Sequence, residues 1–142
     1  MADERFGQGM IKDGAQKISD QDIKKVVDRS EEIQRRFSSG GPLRRFVDDG
    51  RLLISAVRDY WAGRYRRLPV GTLGAMAFTL LYVLNPLDIF PDVIPIVGQI
   101  DDAAVVAGCL LLVEHDLRGY GMWKQQQIAR PELPDKTPPS QG

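Results

Sequence analysis

The chain has 142 residues, the size of one domain with room for a modest core. Its 19 Lys and Arg balance 19 Asp and Glu, which excludes the global positive field of a nucleic-acid binder, so no nucleic-acid partner is expected. Cys109 is the single cysteine, so an intramolecular disulfide and a thiolate metal cluster are excluded, and a small buried apolar role is expected for it.

Taken in order, the opening MADERFGQGMIKDG shows no apolar run behind its charges and is not expected to act as a secretory signal. Ser19 followed by Asp22 is a helix-start signal, and Ile23, Val26, Val27, Ile33 and Phe37 then recur at helical spacing. This predicts an amphipathic helix from Asp20 to Phe37, ended by the linker Ser38-Ser39-Gly40-Gly41-Pro42. A second amphipathic helix is predicted from Leu43 to Tyr65, with Leu43, Phe46, Val47, Leu53, Ile54, Val57, Tyr60 and Trp61 on its apolar side and arginines on the other. Charge is unevenly placed along this part of the chain. Pro42 to Arg67 hold seven arginines against three aspartates, whereas Asn85 to Asp116 hold six acids and no Lys or Arg.

From Leu68 to Leu87 runs a stretch of 20 residues without a charge, predicted as a third helix that begins near Pro69 and stops at Pro86. The connector NPLDIFPDVIPIVGQIDD carries Pro86, Pro91 and Pro95 and cannot be one regular helix. A final helix is predicted from Asp101 or Asp102 to about Tyr120, with Gly119 and Gly121 at its end and a polar, Pro-rich tail beyond Arg130 expected to be disordered. The expected fold class is all-α: two amphipathic helices followed by an apolar helical hairpin with a Pro/Asp-rich connector. The expected divisions are residues 1–41, an N-terminal amphipathic helix and linker; 42–124, the helical domain with its hairpin; and 125–142, the tail.

A helix apolar on all sides is enclosed either by a large protein or by lipid, and a chain this short offers little to enclose one. The expectation is therefore a membrane-inserted or tightly membrane-associated hairpin. Trp61, Tyr65, Tyr120 and Trp123 would serve as interfacial aromatics, and Arg58, Arg64, Arg66, Arg67, Arg118 and Lys124 would hold both termini on the cytoplasmic side of a bacterial inner membrane. The alternative is a soluble, cytoplasmic bundle whose amphipathic helices cover the hairpin and whose acidic connector binds a divalent cation or a protein partner. Partners expected on this basis are the lipid bilayer and a protein partner or a second copy.

Within Arg58 to Val106, the residues Tyr82, Asn85, Pro86, Leu87, Asp88, Ile89, Phe90, Pro91 and Asp92, followed by Pro95, Gly98, Asp101 and Asp102, form a specific pattern of prolines and aspartates. This pattern resembles the YkvA-like domain, a family of unknown function, with Asn85 where serine is more usual. The resemblance implies membrane association, and it brings no catalytic residues, since none are established for the family.

Asp88, Asp92, Asp101 and Asp102 are the candidate site residues. Carboxylates of this kind suit Mg²⁺ or Ca²⁺ if they converge, although the spacing is not that of an EF-hand. The simpler expectation is that Asp88 and Asp101 cap helices while Asp92 or Asp102 pairs with an arginine of the second helix as a structural lock. His115, between Glu114 and Asp116, has no nucleophile near it in sequence and reads as a solvated helix end. Gly71 and Gly74, without a following Lys-Ser or Lys-Thr, read as helix-packing points and not as a phosphate loop. No cofactor and no enzymatic activity are expected, and the function expected is that of a scaffold or interaction module.

Overall fold

A computed structural model describes residues 9, 11–39, 41–85 and 102–129, and every regular element among them is helical. Helix α1 spans Asp20–Asp28 and starts as predicted: the Ser19 hydroxyl accepts the Asp22 amide at 3.3 Å, and the Asp22 carboxylate accepts the Ser19 amide at 2.9 Å. This reciprocal cap satisfies two amides that a helix start otherwise leaves free. The single helix expected to Phe37 is two helices, because the chain bends at Arg29 (φ −106°, ψ 20°) before α2, Ser30–Ser38. The bend keeps Ile23 and Val26 of one segment and Ile33 and Phe37 of the next buried in the same core.

Gly41, at φ +76°, opens a 3₁₀ turn, Gly41–Phe46, where the sequence led us to expect the start of the second helix. Helix α3 follows at Val47–Trp61, and Gly63, at φ +83°, turns the chain towards α4. Both glycines occupy backbone conformations that other residues adopt only with strain. Pro69 precedes α4, Val70–Leu84, whose last residue is followed by an extended Asn85 that donates to the Leu81 carbonyl at 2.8 Å. Helix α5 covers Asp102–Ala129 and so continues well past Tyr120. Gly119 and Gly121 weaken a helix by about 1 kcal/mol each relative to alanine, without ending it. Tyr120 between them is fully buried and anchors the segment.

The apolar helix α4 is where expectation and structure differ most. Leu73 through Leu84 are all buried by the chain itself. At 1.5 Å per residue, α4 is about 22 Å long, short of the ~30 Å hydrocarbon thickness, and it lies against α1, α2, α3 and α5. Its remaining side is closed by a helical turn at residues 11–15 that the sequence analysis did not identify. Ile11 of that turn is fully buried, and Gly14 sits against the Phe78 ring. Gly74 of α4 comes so close to the turn that a Cβ there would lie 2.6 Å from the Ala15 carbonyl oxygen. Gly74 is thus a packing point, as expected. Gly71 is not, since nothing lies within 4 Å of the Cβ position there. Enclosure by so short a chain works because α4 is short and five elements share its circumference. Among the described residues, no helix is long and apolar enough to cross a membrane. The expectation of a lipid-exposed α4 is corrected accordingly.

Candidate functional site

Of the four candidate aspartates, Asp88, Asp92 and Asp101 lie outside the described residues, while Asp102 is the first residue of α5. Among the described residues, no cluster of three His, Cys, Asp or Glu side chains is placed to hold a metal ion. His115 is exposed, as expected, and its neighbours are engaged elsewhere: Glu114 with Arg118 at 2.5 Å, Asp116 with the Thr72 hydroxyl at 2.6 Å. Cys109 is fully buried, its thiol faces the Ala75 carbonyl at 3.7 Å, and burial pushes its pKa up to about 12. A thiol held protonated in this way is inert as a nucleophile.

A carboxylate missed by the sequence analysis forms the polar junction of the fold. Asp59 in α3 is only 2% exposed. It accepts Tyr120 Oη at 2.5 Å, Arg64 Nε at 2.7 Å and Lys124 Nζ at 3.0 Å. Tyr120 also meets the Ser55 hydroxyl at 2.5 Å, so α3 and α5 are joined at two successive turns of α3. The Asp59 backbone carbonyl accepts the amides of Arg64 and Tyr65, which folds the post-helix turn back onto the same residue. Burial alone would raise the Asp59 pKa. The hydrogen bonds from Tyr120, Arg64 and Lys124 outweigh burial and hold the carboxyl below its ordinary value. Tyr120 moves the other way, upward, through burial first and then its bond to the Asp59 carboxylate. Each oxygen of Asp59 has a partner, which describes a structural lock of the kind foreseen for the connector, built from a different aspartate.

The interfacial aromatics are divided by this packing. Tyr65 and Tyr120 are buried and meet edge to face, and Trp123 packs tilted against both, with ring centroids 4.9 to 5.8 Å apart across the cluster. Trp61 remains outside at 39% exposure, and Val70, at the first turn of α4, is 79% exposed. Between them the α3–α4 loop exposes Arg64, Arg66 and Arg67, with Arg58 exposed one turn earlier. Arg66 lies over the Tyr60 ring at 4.7 Å, which holds its guanidinium near the loop surface. No acidic residue occurs between Tyr60 and Leu87, and the carboxylate just before this stretch, Asp59, is buried. Chemically, this end of the bundle offers cations beside the exposed Trp61 and Val70 side chains.

Comparison with known proteins places these features. A family described as a protein of unknown function, DUF1232, matches residues 72–108, from the start of α4 into α5. The uncharacterized membrane protein YkvA of Bacillus subtilis (strain 168) is 43% identical over 70 residues, which cover 49% of this chain and 66% of that protein, just under two thirds of its length. No solved structure matches the chain. The two matches, with the proline and aspartate pattern after α4, support a YkvA-like domain of unknown function in this chain.

Proposed function

We propose that this chain is a non-enzymatic helical module that attaches to the surface of an anionic membrane through its α3–α4 loop and there serves as a scaffold for other components. The observation that carries the proposal is the loop itself: Trp61 and Val70 stand exposed among Arg58, Arg64, Arg66 and Arg67. Tryptophan and a small aliphatic side chain suit the headgroup layer, and each arginine near an anionic surface contributes about 1 kcal/mol. Arg64 is partly committed to Asp59, so about three arginines remain, enough for a preference of roughly a hundredfold for anionic over neutral lipid. The relative's name, a membrane protein, supports the same direction. In this proposal α4 stays enclosed by the chain and the α3–α4 loop at its start faces lipid, on the cytoplasmic face of a bacterial inner membrane.

The test is co-sedimentation of the full chain with phosphatidylglycerol-rich and with pure phosphatidylcholine vesicles. Binding to the first and not the second is expected, with a loss of tenfold or more for Arg66→Glu combined with Arg67→Glu. Equal binding to both vesicle types, or an unchanged affinity in the double variant, would overturn the proposal.

A further inference from the structure

Two of the loop arginines are held in place by the last turn of α3. Tyr65 is buried while Arg64 and Arg66 on either side of it are exposed, so both leave the chain on the side away from the core. Both then fold back. Arg64 places its Nε 2.7 Å from the buried Asp59 carboxylate, an attachment that leaves the fork between its two Nη atoms open, and its side chain stays 59% exposed. Arg66 lies over the ring of the next residue, Tyr60, with one Nη 4.0 Å from where a Gly63 Cβ would stand. Among the described residues, no carboxylate pairs with Arg66. Across from the start of α4, Asp116 already holds the Thr72 hydroxyl at 2.6 Å. The amides of residues 62 to 65 are taken by the Arg58, Asp59 and Tyr60 carbonyls. An anion arriving at this turn is therefore met by guanidinium groups and not by backbone.

We infer that Arg64 and Arg66 form a clamp for a phosphate monoester presented as the headgroup of a membrane lipid. The inference rests on the membrane contact proposed above and names the headgroup which that contact selects. Each arginine offers a planar fork of N–H donors that matches a pair of phosphate oxygens. A phosphodiester headgroup has a single charge and one pair of free oxygens, enough for one fork. A monoester has a third free oxygen and carries close to a second charge at neutral pH, enough for both forks at once. Asp59 and Tyr60 already restrain the two guanidinium groups, so contact with the headgroup orders them little further. Trp61 and Val70, exposed at the two ends of the loop, point to lipid as the source of the phosphate, because a soluble phosphate gains nothing from them.

The experiment is co-sedimentation of the full chain with phosphatidylcholine vesicles that contain either phosphatidic acid, a monoester, or phosphatidylglycerol, a diester, adjusted to the same surface potential. The parent is expected to bind the phosphatidic acid vesicles about tenfold more tightly. Arg64→Lys with Arg66→Lys keeps both charges and removes both forks, so it should bring the ratio of the two affinities close to one with the helix content unchanged. Arg66→Lys alone, which leaves the Asp59 junction intact, should lower the ratio about threefold. Arg51→Lys, on α3 outside the loop and paired with Asp48, should leave the ratio at the parent's value. A parent that binds both vesicle types equally overturns the clamp and leaves the lipid contact standing, whereas a parent that binds neither overturns both. Lysine variants that retain the parent's ratio overturn the clamp as well, since fork geometry would then play no part. Millimolar glycerol 3-phosphate, a soluble monoester, separates the two sources of phosphate. A rise in melting temperature with it, without any vesicle preference, would assign the arginines to a soluble ligand and overturn the lipid assignment.

Discussion

Two glycines three residues apart in α4 should respond to the same substitution with opposite signs. Replacing a helical glycine by alanine ordinarily stabilises by up to about 1 kcal/mol, through lower backbone entropy in the unfolded chain. Gly71→Ala should show that gain, since a Cβ there meets nothing within 4 Å. Gly74→Ala should lose stability, because its Cβ would lie 2.6 Å from the Ala15 carbonyl oxygen, and backbone cannot turn aside as a flexible side chain can. The 11–15 turn must then lift from α4. Lifting it uncovers Ile11, worth about 2 kcal/mol of buried apolar surface, and loosens the Gly14 contact on the Phe78 ring. Set against the gain of about 1 kcal/mol in helix propensity, the net loss is about 1 to 2 kcal/mol. The two variants should therefore differ by about 2 to 3 kcal/mol in urea unfolding, with faster amide exchange at residues 11–15 only in Gly74→Ala. A Gly74→Ala protein as stable as Gly71→Ala would refute the docking of the turn and reopen one side of α4.

Further outcomes follow from the Asp59 junction. Asp59→Asn should destabilise by about 2 kcal/mol, less than a fully enclosed ion pair would lose, because Arg64 and Lys124 are partly exposed and can regain water. Tyr120→Phe should cost about 1 kcal/mol by removing the hydroxyl shared by Asp59 and Ser55, measurable by the same urea titration. The Asp59 carboxyl is held below its ordinary value in the folded chain, so its stabilisation is present above about pH 4 and is lost as pH falls through the lowered value. The parent should thus lose stability more steeply on acidification than Asp59→Asn. Tyr120, raised in the fold, contributes stability that is complete below about pH 10 and is lost as pH rises beyond it, so Tyr120→Phe should flatten the alkaline side of a melting profile.

Much of the local structure was readable from residue order. The Ser19–Asp22 cap, the apolar phase of Ile23 through Phe37, the helix after Pro69 and the buried Cys109 all depend on neighbours within a few positions. The bend at Arg29 escaped notice because the apolar residues on either side stay in phase with one core. Enclosure of α4 could not be read from its own residues, since an apolar helix has the same pattern whether protein or lipid surrounds it. The deciding contacts come from Gly14 and Ala15, small residues in a polar stretch some 60 positions away, where no periodicity marks a helix. Asp59 was equally hidden. In an arginine-rich helix it looked like one more surface charge, and its partners Tyr120 and Lys124 are 61 and 65 residues distant. Its only local signal was position, three residues after Ala56 on the buried side of α3. The aspartates that did stand out, Asp88, Asp92 and Asp101, did so through their prolines, and they fall outside the described residues.

Helix α4 is covered by its own chain, and in the proposed membrane contact lipid is met only at the α3–α4 loop. Extraction of the full-length protein from native membranes with high-salt buffer and no detergent addresses this directly, because salt screens arginine contacts and leaves inserted helices in place. Release of a folded chain into the supernatant is the predicted result. Retention in the pellet until detergent is added would contradict it and would place α4 in the bilayer.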